Sequence, residues 1–202
     1  MKKFFFFLPM LMAVFLLIEI QAEAAFMLKL DDGTHTVIIT DGLAGDLNPA
    51  AGAITYVGDL GPGSAWNISN VSTGLSKNIL GSATSPHMDL NTVNVSSAAG
   101  GTLDIFLTDT DFGPLPVSPA AFTQQIGGTT AGTVRAEAFV DPGNTAFAQT
   151  NSLGSMFFNT TPFSGSISGS SPVTPAFSIT QWASITHTGA GVTSFDYELS
   201  AV

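Results

Sequence analysis

The sequence predicts an all-β fold: one antiparallel β-sandwich of about nine strands, jelly-roll-like, behind a cleaved N-terminal export signal. Three observations predict it. Apolar residues recur at every second position in several short runs, as they do on half-buried strands. Turn signals built from Gly, Pro, Asn and Asp separate those runs at sandwich-like spacing. Stretches of roughly 10–15 residues with a 3.6-residue apolar period are missing, which excludes helices alternating with the strands of a parallel sheet.

The first 24 residues read as a secretory signal. Lys2-Lys3 forms the positive start, Phe4 to Ile18 an apolar run broken only by Pro9, and Ala22-Glu23-Ala24 a small-x-small cleavage site. The run is short for a bilayer span of about 20 apolar residues, so no stable membrane span is expected in the mature chain. The predicted destination is the periplasm, the cell surface or the medium. Of 202 residues, those from Ala25 onward have room for one ordinary domain, residues 25–202. An apolar content of 45% excludes a disordered chain.

The elements follow in order. Phe26 to Leu30 and Thr34 to Thr40 are placed to pair as a hairpin across Asp31-Asp32-Gly33. Ala53 to Val57 is a third strand, closed by Gly58-Asp59. In Ala65 to Val71, Trp66 and Ile68 share a face, with a slip after Ser69. Met88 and Leu90 are in one phase and Val93 and Val95 in the other, which predicts a bulge near Asn91-Thr92. Thr102 to Asp109 alternates with Leu103, Ile105 and Leu107 inward and Asp104 and Thr108 outward. Thr133 to Val140 places Val134, Ala136, Ala138 and Val140 on one side. Phe177 to Thr186 starts in strict alternation and then slips, and Ser194 to Leu199 ends the chain with Phe195, Tyr197 and Leu199 in phase. Pro119 to Ile126 reads as a loop or one short helical turn, and the Ser/Gly/Thr/Pro-rich stretch from Asn159 to Ala176 as a surface loop around one short strand.

Charge and composition exclude several functions. Five basic residues face fifteen acidic ones, for a net charge of −10. Beyond the signal only Lys29, Lys77 and Arg135 remain, too few for the basic surface that nucleic acid or an anionic membrane requires. With no cysteine in the chain, disulfides, thiolate metal sites and a catalytic thiol are excluded. Asn67, Asn70, Asn94 and Asn159 open N-x-Ser/Thr sequons, which a Ser/Thr-rich chain produces by chance.

Candidate chemistry is sparse. Asp109 and Asp111 leave a strong strand at i, i+2, a spacing by which an irregular turn aims carboxylates at one calcium ion. Asp41, Asp46 and Asn48 form a second oxygen-rich loop. Such residues more commonly cap their own turns, and any calcium binding is expected to be weak. No other cofactor is expected. His35, His87 and His187 lie far apart with no metal-ligand spacing, and no G-x-S-x-G elbow occurs. Asp104, Glu137 and Asp196 have the chemistry of a glycosidase pair, but each falls at an outward strand phase where solvation is the ordinary job. Trp66 and Trp182 are the candidate stacking residues for a carbohydrate ligand, with a place in the sandwich core as the commoner use of Trp.

Taken together, Leu30 to Gly33, Thr40 to Gly42 with Gly45 to Pro49, Gly52 to Gly58, Gly101 to Leu103 with Thr108 to Phe112, Ile126 to Thr129 and Ile185 to Gly189 carry a resemblance. The chain from about residue 26 to 202 resembles the secreted β-rich ectodomains of proteobacterial PEP-CTERM/VPLPA-CTERM proteins. The resemblance implies export, an association with exopolysaccharide and biofilm, and no catalytic residue to carry over. It also implies a sorting motif, apolar helix and basic tail after the last strand. The chain stops at Val202 instead, which implies a truncated reading or release rather than anchoring. The resulting expectation is a non-enzymatic envelope or matrix protein. The alternatives are a carbohydrate-binding module with extracellular polysaccharide as partner and, third, a hydrolase.

Overall fold

Residues 25–202 are described by a computed structural model; the predicted signal segment lies outside the described residues. Twelve strands follow one another: β1 (Met27–Asp31), β2 (Thr36–Thr40), β3 (Ala53–Asp59), β4 (Trp66–Leu75), β5 (His87–Ser97), β6 (Gly101–Phe112), β7 (Ala120–Thr130), β8 (Thr133–Asp141), β9 (Asn151–Phe158), β10 (Phe163–Ser171), β11 (Phe177–His187) and β12 (Gly191–Ala201). No helix occurs among the described residues. Sheet A has the order β2-β1-β6-β11-β8-β9 and sheet B the order β10-β7-β12-β5-β4-β3. Strands β5 to β12 alone give two four-stranded sheets, β6-β11-β8-β9 and β10-β7-β12-β5. That is the connectivity of an eight-stranded jelly roll. The β1–β2 hairpin extends one sheet beyond β6, and β3–β4 extends the other beyond β5.

The predicted antiparallel sandwich is therefore present, with twelve strands rather than nine. All nine expected strands form. Asp31 pairs with Thr36 at the first hairpin, and the Asp31 and Asp32 carboxylates accept the N–H groups of Gly33, Thr34 and His35 in the turn. The slip after Ser69 is a register shift between Ile68 and Asn70. The bulge at Asn91-Thr92 is also present: Phe195 pairs with Val93, but Tyr197 pairs with Leu90.

Beyond those nine, β10 is the one short strand expected within Asn159 to Ala176, whereas β7, read as a loop or helical turn, and β9 escaped the pattern. In β7 the inward phase runs Phe122, Gln124, Ile126, so a buried glutamine interrupts the apolar series. In β10 it runs Phe163, Gly165, Ile167, Gly169, Ser171, where glycine hides the alternation. A Cβ on Gly169 would lie 2.3 Å from the Leu153 carbonyl oxygen, and one on Gly165 would lie 2.8 Å from the Phe158 ring. Close approach of β9, not flexibility, demands those glycines. The slip expected in β11 does not exist: Gln181 is the buried polar member of an unbroken inward series from Phe177 to His187.

The core is filled from both inner faces, with Leu28, Leu103, Ile105, Val134, Ile179 and Ile185 from sheet A and Ile68, Met88, Leu90, Phe122, Phe195 and Leu199 from sheet B. Each such side chain contributes about 1.5–3 kcal/mol by leaving water. Polar side chains then pin the layers in a protein without disulfides. Tyr197 Oη donates to Gln124 Oε1 at 2.5 Å, and Gln124 Nε2 donates to the carbonyls of Leu153 and Gly154 at 3.1 and 3.0 Å. Those carbonyls belong to a β9 bulge, where Glu137 pairs with Ser155 but Phe139 with Ser152 and Gly154 takes φ +101°. Gln181 Nε2 crosses between the sheets to the Tyr197 carbonyl, 2.9 Å away.

Candidate functional site

The two outer faces of the sandwich differ in what their outward side chains are free to do. On sheet A, Lys29, Phe106, Trp182 and Glu137 are directly opposite one another across β1, β6, β11 and β8. The Lys29 ammonium sits 3.8 Å over the Phe106 ring, Phe106 and Trp182 stack at 6.3 Å, and the Arg135 guanidinium lies 5.2 Å from the Trp182 ring. This cation–π–π–cation ladder uses the ring faces that a sugar would need. The polar rim is engaged as well. Trp182 Nε1 donates to Asp104 at 3.1 Å, and Glu137 accepts from Arg135 at 2.8 Å and Ser152 at 2.6 Å.

The loop between β8 and β9 covers the part of this face beside Phe106 and Thr108. Phe147 holds φ 61°, a conformation rare for a bulky side chain, and its N–H donates to Thr108 Oγ1 at 3.2 Å. Its ring meets Phe106 edge-on at 6.4 Å. Thr108 and Thr180 point outward yet are fully buried, bonded to each other beside this loop. Asp141 anchors the loop start: despite burial, its carboxyl is held below the usual range by the N–H groups of Thr145 and Gly143 and the Thr150 hydroxyl.

Sheet B presents the opposite. A shallow groove of about 650 Å³ lies on its outer face, lined by Gln125, Gly127, Ser164, Ser166, Asp196 and Glu198 with their neighbours. The register explains it. Ser164, Gly127 and Asp196 form one row across β10, β7 and β12, and Ser166, Gln125 and Glu198 form the next. Rows two residues apart are about 7 Å apart and strands about 4.8 Å, so hydroxyl, amide and carboxylate groups stand on a regular lattice. Glycine at 127 leaves its centre open, since a Cβ there would meet only ordinary contacts at 3.6 and 3.8 Å. The far rim is the His87–Glu198 pair, Nε2 to Oε1 2.7 Å.

The residues singled out in the sequence are spread over different surroundings. Trp66 is 2% exposed and packs 5.0 Å from the His187 ring, so it is a core residue and not a stacking platform. Trp182 is on the surface, within the ladder. Asp109 and Asp111 are held by different loops. Asp109 points inward to Ser76 and Lys77, whereas Asp111, at φ 61° in a β6 bulge, pairs with Asn144 from the β8–β9 loop. Asp41, Asp46 and Asn48 accept backbone N–H groups of their own segment. Among the described residues no three His, Asp or Glu side chains gather where they could hold a metal ion.

Each histidine is committed too. His35 faces Asp32 at 3.2 Å and the Pro62 carbonyl at 3.1 Å; Asp32 is partly buried, but the Ser64 hydroxyl and the N–H groups of His35 and Thr34 hold its carboxyl far below the usual range. His187 is buried between Ser97 Oγ on Nδ1 and Thr193 Oγ1 on Nε2, both at 2.8 Å, and burial lowers its pKa. Ser97 donates its own hydroxyl proton to the Gly189 carbonyl, 3.1 Å away. With both ring nitrogens engaged inside the core, His187 ties β11 to Ser97 of β5 and Thr193 of β12.

No family model matches the chain, and no curated protein matches it. Among solved structures it is similar to a cleaved adhesin domain of Lys-gingipain from Porphyromonas gingivalis, at 15% identity over 76% of this chain and 91% of that one, with a TM-score of 0.37. It is also similar to the module TmCBM61 solved with β-1,4-galactotriose, at 14% identity over 70% of this chain and 90% of that one, with a TM-score of 0.35. A carbohydrate-binding module of the β-sandwich superfamily is similar at 13% identity over 88% of this chain and 83% of that one, with a TM-score of 0.33.

Proposed function

We propose that this is an exported, non-enzymatic domain of the extracellular matrix that binds polysaccharide along the outer face of sheet B. The observation that carries the proposal is the open polar lattice of the groove. Side chains that donate and accept hydrogen bonds repeat at fixed intervals over Gly127, which suits a ligand presenting hydroxyls at fixed intervals. Recognition then rests on hydrogen bonds rather than on stacking, because the ring faces of Trp182 are occupied and Trp66 is inside. The acidic pair Asp196 and Glu198 selects against uronate or sulfated chains and for neutral or amino-bearing ones, in keeping with a net charge of −10. Export is supported by the signal-like first 24 residues, and the matrix setting by the PEP-CTERM-type resemblance.

A hydrolytic role finds little support in the same groove. The Glu198 side chain is 45% exposed, and a general acid working near neutral pH needs a carboxyl desolvated enough to hold its proton.

Affinity electrophoresis and calorimetry with neutral, amino-bearing and uronate polysaccharides test the proposal. Binding is expected for the first two, without quenching of Trp fluorescence. Gly127→Val places a branched side chain in the groove at a backbone position that accepts it, so the variant should fold normally and lose at least tenfold in affinity. Undiminished binding by folded Gly127→Val, or binding that quenches Trp182, refutes the groove as the site.

A further inference from the structure

Lys77, partly buried, and Asp109, buried, form an ion pair that the groove does not use. Their side chains are 12% and 1% exposed, and Nζ lies 3.2 Å from Oδ1. Nζ also donates to the Thr110 carbonyl and sits 4.3 Å from the centre of the Phe112 ring. On the other side, fully buried Ser76 donates its hydroxyl to Oδ2 at 2.5 Å. Oδ1 has no well-directed hydrogen bond and faces the amine. Two full charges are costly in such a dry site, and moving one proton from Nζ to the carboxylate removes both. Burial pushes the Asp109 carboxyl upward, toward that neutral form, against the opposing pull of Lys77, Ser76 and the Thr110 N–H.

We propose that Lys77 Nζ and Asp109 Cγ condense to an intramolecular isopeptide bond. Once the proton has moved, the Nζ lone pair adds to Cγ, which Oδ1 already places within reach. The N–C bond forms and the Cγ–Oδ2 bond breaks. A second amine proton passes to the departing hydroxyl, which the Ser76 hydroxyl, already bonded to Oδ2, stabilises as it leaves. The products are a secondary amide and one water, with no change of oxidation state. The amide keeps one N–H, and the Thr110 carbonyl that accepts from Nζ is there to take it. The bond ties the β4–β5 connection of sheet B to β6 of sheet A, a covalent link between the layers in a chain without cysteine.

Trypsin reads the outcome directly, because residues 25–202 contain only three cleavage sites, Lys29, Lys77 and Arg135. The purified chain is unfolded, digested and weighed. An acylated Lys77 blocks cleavage and leaves one fragment, 30–135, lighter than its sequence by one water. Lys77→Arg retains the cation but not the primary amine, and should give fragments 30–77 and 78–135 at full mass. Ser76→Ala should form the bond more slowly. Wild-type protein cut after Lys77 into two fragments of full mass overturns the proposal, and joining by Ser76→Ala at the wild-type rate overturns the role given to Ser76.

Discussion

Removing the hydroxyl of Tyr197 tests how the sandwich is pinned. Tyr197→Phe keeps the fully buried ring but leaves Gln124 Oε1 without its donor in a site that water does not reach. One orphaned buried acceptor costs about 1–3 kcal/mol. Gln124→Met is similar in length but strips partners from three groups at once, the Tyr197 hydroxyl and the carbonyls of Leu153 and Gly154. At about 1 kcal/mol or more per group, it should lose at least about 3 kcal/mol. In the double variant the phenol no longer needs a partner, so the losses should fall short of additivity by about 1–2 kcal/mol. Urea unfolding followed by the fluorescence of Trp66 and Trp182 resolves these differences. With a slope of about 2 kcal/mol per M, a 2 kcal/mol loss moves the midpoint by about 1 M. Additive losses, or a Tyr197→Phe midpoint equal to the wild type, would refute the account of Gln124 as the buried pin between Tyr197 and the β9 bulge.

Two further outcomes follow from the same interior. Burial holds the folded pKa of His187 below its ordinary 6.5, so the unfolded chain binds the proton first as pH falls. Its contribution to stability is therefore complete above about 6.5 and declines below that as the folded pKa is approached; chemical denaturation across that range should show a flatter slope for His187→Gln, and an unchanged slope would sink the assignment. Gly169→Ala forces a Cβ to 2.3 Å from the Leu153 carbonyl oxygen and should cost about 1–3 kcal/mol, whereas Gly127→Val, facing the open groove, should be neutral or stabilising; thermal melts of the two variants compare them.

The legible strands were those whose inward positions are all apolar. Leu103, Ile105 and Leu107 in β6, the Val/Ala series of β8 and Phe195, Tyr197 and Leu199 in β12 sit as their alternation requires. Even two register faults were legible, because a bulge moves apolar residues to the other phase, as between Leu90 and Val95. Alternation fails where the core itself is polar or glycine. Gln124 and Gln181 are buried because their amides bond carbonyls of other strands, and that need cannot be seen in their own segments. Gly165 and Gly169 are inward because β9 comes too close for a side chain, a property of a neighbour and not of β10. The groove was illegible for a related reason. Ser166, Gln125 and Glu198 become neighbours only through the β10-β7-β12 pairing.

The decision between the two outer faces turns on what is left unsatisfied. A binding surface needs polar groups and ring faces whose partners are missing until the ligand arrives, since displacing an internal partner returns little net energy. On sheet A, Trp182, Phe106, Asp104 and Glu137 already have partners within the protein, and Phe147 closes over the adjacent threonines. A sugar landing there must first break a ladder of cations and rings. On sheet B, Ser164, Ser166, Gln125 and Asp196 face an open groove whose centre is a glycine. Water is what a ligand displaces there. Of the two tryptophans, Trp66 packs in the core and Trp182 is locked in the sheet A ladder, while the serine-rich stretch that reads as a loop around one short strand supplies, through β10, one wall of the groove.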